Sequence, residues 1–405
     1  MRSVLYVVAA VLTWTGIAAG ETWEAEVFPA EREISGDAES GARLIFVTSN
    51  TAEDSNLYFH QHSWLADSSL LVFRTVRSGK MELFGYIEAT GELCRLQQPG
   101  HVLQGDTTAS AFGNRMYVVR DGQVCEWTIE VASATPGTAT QVSVTERIIG
   151  PLPELPGSVT GLNENSDGTL LILGFTAVPP AASHIVWMEP ATGAVRQKAA
   201  IGAAISHTQA SATQPGLVMF TRDSTDRAAT LQTGSLSQRM WLVSIDKPEP
   251  WKLYRQLEGE LVTHEHFWTE DRVVFCTGIP RAGYAEESHV KVIDINTGIA
   301  RIICPGSWWP GGSPEEVAKL NWWHCAGAPN GRFVAADNWH GVIAITSGLS
   351  ARYRVLTSGH RTYGSGPHPH VGWDPTGYRV VFASNQRGNS DVVIAELPES
   401  WKGDW

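Results

Sequence analysis

One pattern returns seven times along this chain, and it constrains the fold more than any other feature. Each copy has a polar or histidine start, an aromatic, a turn of the Asp-Gly kind and a strand ending near Val-Phe. A variable loop follows, then a strand, then Thr-Gly ahead of a last strand. The copies cover 62–96, 110–149, 163–197, 206–254, 264–303, 324–356 and 368–397. Repeats of this length that each hold about four short strands are the signature of a propeller blade. The last copy stops one strand short, and "ARLIFVTS" (42–49), ahead of the first copy, can supply it. The prediction is an all-β chain, a seven-bladed β-propeller closed by an N-terminal strand. A pair of β-sandwiches is one rival; the other, a right-handed β-helix, needs a shorter and more regular period. Helix signals are scarce. Only "SPEEVAKLNWW" (313–323) starts like a helix, with Ser313 as cap and Glu315 and Glu316 in the first turn.

The repeat gives meaning to the histidines. The chain has 13, and six fall in three His-x-His pairs that lead into a tryptophan: "HQHSW" (60–64), "HEHFW" (264–268) and "HPHVGW" (368–373). The pairs share one phase, just upstream of the first clear strand of a blade. His207 and His324 fall near the same phase. Equivalent repeat positions lie at equivalent places around a propeller axis, so histidines from five blades are expected on one rim of the central channel. In extended chain the two residues of His-x-His point the same way. Such a pair can hold a metal with a third ligand from the next blade, and His324, His368 and His370 come from adjacent blades. Three neutral imidazoles suit Mn, Zn, Fe or Ni. A lone channel histidine more often ties a blade entrance to a loop carbonyl; a set of three favours a metal. The other rim histidines, His62, His207 and His266, are expected to face substrate. Cations gather on the same rim: Arg239 starts a strand of blade four, Arg74 and Arg77 lie in blade one, and Arg361 precedes the HPH. For His340 and the "SWWPGGSPEE" loop (307–316), turn and packing roles are expected.

Composition bounds the setting. "MRSVLYVVAAVLTWTGIAAG" (1–20) has one arginine, a short apolar core and small residues at its end, which reads as an export signal cleaved before Glu21. Residues 21–405 are then a single propeller domain, periplasmic or secreted, with no stable membrane insertion after cleavage. The net charge of −12 comes with no basic run, which argues against a nucleic-acid partner. Five cysteines without a Cys-x-x-Cys exclude a disulfide scaffold and a zinc ribbon, and leave any bridge, Cys304–Cys325 included, unassigned. Sixteen tryptophans suit a sugar-binding protein, though many are expected in the core. Oligomeric state is not legible in the sequence.

Three long segments carry a family resemblance. "QRMWLVSIDKPEPWKLYRQLEGELVTHEHFW" (238–268), "NWWHCAGAPNGRFVAAD" (321–337) and "SGPHPHVGWDPTGYRVVFASNQRGNSDVVIAELPES" (365–400) resemble stretches of the oligogalacturonate lyases, polysaccharide lyase family 22. The resemblance covers most of the chain after residue 20 and is clearest from about 206 to 399. It implies a seven-bladed propeller that cuts uronate oligosaccharides by β-elimination with a divalent cation, Mn²⁺ first, with Zn²⁺ and Ca²⁺ as alternatives. It implies His324, His368 and His370 as metal ligands, His264 as the base that takes the C5 proton, and Arg239 as the charge stabiliser. Two departures stand out. Ser365 occupies the position of the family's glutamine ligand, and "THEHFW" carries one residue more than the family's "THEFW", which leaves His266 as an alternative base. The residue types suit the chemistry in their own right. A cation on the C6 carboxylate stabilises an enolate-like charge, and a histidine has a pKa near working pH. A lyase on another polyuronate, such as ulvan, and a non-catalytic binding propeller are the competing readings.

Overall fold

The computed structural model describes residues 19–132, 139–222, 238–257, 260–279, 287–306, 321–338, 340–360 and 368–403. Seven antiparallel sheets follow one another as seven blades, and the only helical element among the described residues is a 3₁₀ turn, Glu399–Trp401. The expected helix at 313–323 falls almost wholly outside the described residues, as do the loop 307–316, Arg361, Ser365 and all but the last two residues of the 1–20 leader.

Blades three to six are four-stranded and continuous in sequence, running Ser158–Glu164 to Val195–Ile201, Ile205–Ala210 to Lys247–Lys252, Leu261–Trp268 to Ala300–Cys304, and His324–Gly327 to Tyr353–Thr357. Blade seven is composite, as expected: Gly372–Trp373, Arg379–Ser384 and Asp391–Glu396 are completed by Arg43–Phe46, antiparallel to Asp391–Glu396 with Ile45 opposite Ile394. The lacing goes further than one strand. Ala19–Glu24 edges blade two, Glu26–Phe28 edges blade one, and Glu33–Gly36 is the outermost strand of blade seven. The segment therefore runs along the outer rim across three blades before it closes the ring.

The strands read as unbroken apolar runs because both faces of every blade are covered. In "LLVFRT" (70–75), Val72 packs into the core shared with blade two, while Leu71 and Phe73 pack into the core shared with blade seven. The seven apolar clusters each lie between two neighbouring blades and together go round the whole ring. Most of the tryptophans settle here, as expected; Trp127, Trp187, Trp268 and Trp322 are fully buried. All five cysteines are buried free thiols.

The innermost strands carry the feature that builds the site. In blade five, Thr263 faces Cys276 and His266 faces Val274, so two residues oppose one, a β-bulge. The bulged residue, His264, has a left-handed φ of 48°. Blade four repeats this at His207 (φ 48°) and blade seven at His370 (φ 49°). Blade three holds a glycine there, Gly161 (φ 66°), and in blade two Gly105 (φ 64°) begins a wider irregularity in which three residues face one. A non-glycine residue in this region is strained by about 1–2 kcal/mol, and such strain persists where the surroundings enforce it. Blade one breaks the pattern altogether. Its ladder holds at Asn56–Phe73 and resumes where the Ser63 carbonyl accepts from the Val72 N–H, next to Trp64–Leu71, and residues 57–62 leave the strand as a loop. The expectation that each His-x-His pair lies in extended chain is thereby corrected. His60 and His62 are in the loop, and the bulge at His264 turns it away from His266.

Candidate active site

The loop of blade one puts Phe59 on the channel axis. Its ring is 3% exposed and lies 5.6–6.4 Å, centroid to centroid, from His207, His264, His266, His324 and His370. Phe59 divides the channel. On the side where the innermost strands begin, histidines from blades one, four, five, six and seven converge, as the repeat predicts.

His324, His368 and His370 bring one nitrogen each to within 4.8 Å of one another. The His324 ring is 4.4 Å from that of His370 and 5.7 Å from that of His368. Asp337, fully buried at the end of the neighbouring strand, takes His324 Nδ1 at 2.7 Å and the Val371 N–H at 3.3 Å. Burial pushes the Asp337 carboxyl up to about 7, and burial and His368 push His324 well below the usual histidine range. With Asp337 ionised and His324 Nδ1–H donating to it, Nε2 carries the lone pair. That Nε2 is buried and has no hydrogen-bond partner among the described residues. An imidazole oriented by a carboxylate with its other nitrogen unsatisfied is how a metal-ligating histidine is held. His370 is neutral for the same reasons, burial first and then His324. The donor set fits a divalent transition metal. The His370 carbonyl is fixed by Asn56 Nδ2 of blade one at 2.8 Å.

Beside this group lies a charged network. Glu265, the middle residue of HEH, is fully buried. Its carboxylate accepts from His207 Nδ1 at 2.6 Å and from Arg239 Nε at 3.0 Å. Burial alone would raise its pKa; Arg239 and then His207 outweigh that and hold it at about 2. His207 Nε2 stands 3.1 Å from Tyr58 Oη. His60 joins through the Glu265 carbonyl at 3.0 Å. His60, His207 and Glu265 also come within 4.8 Å of one another, but the Arg239 guanidinium already supplies the positive charge there. His264 lies between the two groups, 4.1 Å from the His324 ring and 5.7 Å from that of His207, with Nδ1 on Thr263 Oγ1 at 2.5 Å. Burial and then His324 keep it well below the usual histidine range, so it is neutral.

His62 and His266 lie on the other side of Phe59. They line a cavity of about 280 Å³ at the far end of the channel, with Trp64, Trp268 and Trp373. His266 accepts from the Gly327 N–H, and burial lowers it to about 4. They are thus apart from the cluster that holds His207 and His264. Of the rim arginines, Arg239 reaches the cluster, whereas Arg77 is bound to Glu31 at 3.0 Å and stands against Asp54 at 3.5 Å.

Four residues of the cluster had no signal in the histidine pattern: Tyr58, Phe59, Glu265 and Asp337. Strand alternation sends Glu265 to the opposite face from its histidine neighbours, and only the bulge brings it in. Tyr58 and Phe59 belong to a strand by sequence, and only the break in the ladder makes them a loop. Asp337, a charged residue closing "RFVAAD", was the one visible hint.

The fold and this donor set define a class: a seven-bladed propeller with a polyhistidine centre at one mouth of its channel. Among solved structures the chain is similar to an oligogalacturonate lyase in complex with manganese, 18% identical with a TM-score of 0.70, over 94% of this chain and 100% of that one. It is also similar to an oligogalacturonate lyase of Vibrio parahaemolyticus, 17% identical with a TM-score of 0.65, over 95% of this chain and 100% of that one. No protein-family model matches the sequence, and no curated protein does.

Proposed function

We propose that this chain is a carbon–oxygen lyase that cleaves short uronate oligosaccharides, oligogalacturonates first, by metal-assisted β-elimination. The observation that carries the reading is the buried, unpartnered Nε2 of His324 beside His368 and His370, in a fold shared with a manganese-bound oligogalacturonate lyase. His324, His368 and His370 hold the cation, Mn²⁺ by analogy; an all-imidazole set suits Zn²⁺ as well and Ca²⁺ poorly. When bound, the cation supplies Lewis-acid stabilisation of the charge that develops on the substrate carboxylate.

His264 takes the C5 proton. It is neutral, and an Nδ1–H given to Thr263 leaves the Nε2 lone pair that a base needs. Arg239, aligned by Glu265, offers positive charge to the developing enolate. The C5–H pair becomes the C4=C5 bond, the C4–O4 bond breaks, and the new end is a 4,5-unsaturated uronyl group. His207 and Tyr58 border the same space and contact substrate; His62 and His266 do so only if it reaches past Phe59. Residues 1–20 act as a cleaved export signal, and 21–405 form the mature protein outside the cytoplasm.

The test is ultraviolet absorbance of the unsaturated product from di- and trigalacturonate, with EDTA and with added Mn²⁺. The expected result is a cation-dependent rise, lowered at least a hundredfold in His264→Ala and retained in His266→Ala. No rise on any uronate would sink the proposal.

A further inference from the structure

Beyond Phe59, the far end of the channel holds a cavity with a chemistry of its own. Its volume is about 280 Å³, near the lower end of the ~300–1,000 Å³ range of ligand sites. Every blade but the third contributes to its wall. Phe59 forms the floor, and the rings of His264, His324 and His370 lie on the other side of that phenyl.

The wall is polar in places but offers no free charge. Among the described residues no lysine or arginine lines it. Its one carboxylate, Asp374, already accepts from the Tyr378 N–H at 3.1 Å, the Arg379 N–H at 2.9 Å and Arg379 Nε at 3.0 Å. His62 is exposed to the cavity, and its side chain makes no hydrogen bond among the described residues. Burial still lowers its pKa from the usual histidine value, so the ring is neutral at pH 7 and carries one donor and one acceptor. Two more wall residues hold buried polar atoms with no partner among the described residues: Gln61 Oε1, an acceptor, and Trp64 Nε1, a donor. Buried polar atoms are nearly always paired, so unmatched groups gathered at one cavity point to a ligand that carries hydroxyls. The rest of the lining is apolar, with Trp373 half-buried and Pro329 and Pro375 exposed. Hydrogen-bonding groups, an apolar surface and no cation together fit an uncharged sugar ring, which has hydroxyls at its edge and C–H groups on its face. A uronate fits badly, because its carboxylate would lose water without gaining a counter-charge.

We propose that this cavity is a second carbohydrate site, separate from the histidine cluster, that takes one uncharged sugar ring. The inference does not depend on the lyase reading. The experiment is saturation-transfer NMR and calorimetry on the full chain with the methyl glycosides of galactose, glucose and rhamnose, and with methyl galactosiduronate as the charged control. The variants are His62→Ala and Ala212→Trp, the second filling the cavity from an exposed wall position. The expected result is binding of at least one neutral glycoside, weakened about tenfold in His62→Ala by the lost hydrogen bond and abolished in Ala212→Trp. The uronide should not displace it. Three results overturn the site: no neutral glycoside binds, both variants bind as well as the unchanged protein, or the uronide displaces the neutral sugar with equal affinity. Cleavage of digalacturonate by Ala212→Trp should stay within twofold of the unchanged protein. Failure of the unchanged protein to cleave it would count against the lyase reading alone.

Discussion

At the scale of single residues, the site works by burying charge only where a partner waits. Asp337 touches no substrate in this reading, yet it fixes the tautomer of His324. Asp337→Asn should lower Mn²⁺ affinity 10- to 100-fold, the usual effect of losing a ligand's orienting carboxylate; competition with a fluorescent chelator measures it. Glu265 makes a pH prediction. Its folded pKa of about 2 is depressed from an ordinary 4.5, so it contributes about 3 kcal/mol that is fully present above pH 4.5. That contribution is lost as pH falls from 4.5 towards 2. The melting temperature should drop over that window, and Glu265→Leu should flatten the drop. A third expectation concerns the bulges. At His370, with φ 49°, glycine relieves the strain that alanine keeps, so His370→Gly should be about 1 kcal/mol more stable than His370→Ala in urea unfolding.

At the scale of elements, the innermost strands decide what was legible beforehand. The blades from 158 onward, the closing strand and the convergence of the histidines all followed from periodicity, because repeat phase maps directly onto position around an axis. The bulges did not, since a one-residue excess in a strand leaves no mark in hydrophobic pattern. They are why Glu265 and not His266 joins His264. The loop of blade one was hidden in the same way: "NLYFHQHSW" alternates well enough to pass for a strand. Its plug is testable. Phe59→Ala should cost about 3–5 kcal/mol by leaving a cavity among the surrounding imidazoles, read by chemical denaturation. It should also join the two ends of the channel.

At the scale of the whole molecule, seven interblade cores make a closed ring, and Arg43–Phe46 is the strand that completes blade seven. Ile45 is 2% exposed between blades seven and one. Ile45→Asp, a buried and unpaired charge, should lower the melting temperature and release bound cation in the same transition. The histidine cluster straddles this joint. His370 is on blade seven, its carbonyl is gripped by Asn56 of blade one, and the Phe59 loop enters from the same side. In the proposed function, a cation held by His324, His368 and His370 would tie blade six to blade seven, and would bind the folded ring and not the opened one. Each tenfold gain in its occupancy ratio makes the ring about 1.4 kcal/mol harder to open. If the proposed site holds that cation, metal starvation would loosen the folded ring as well as empty the site.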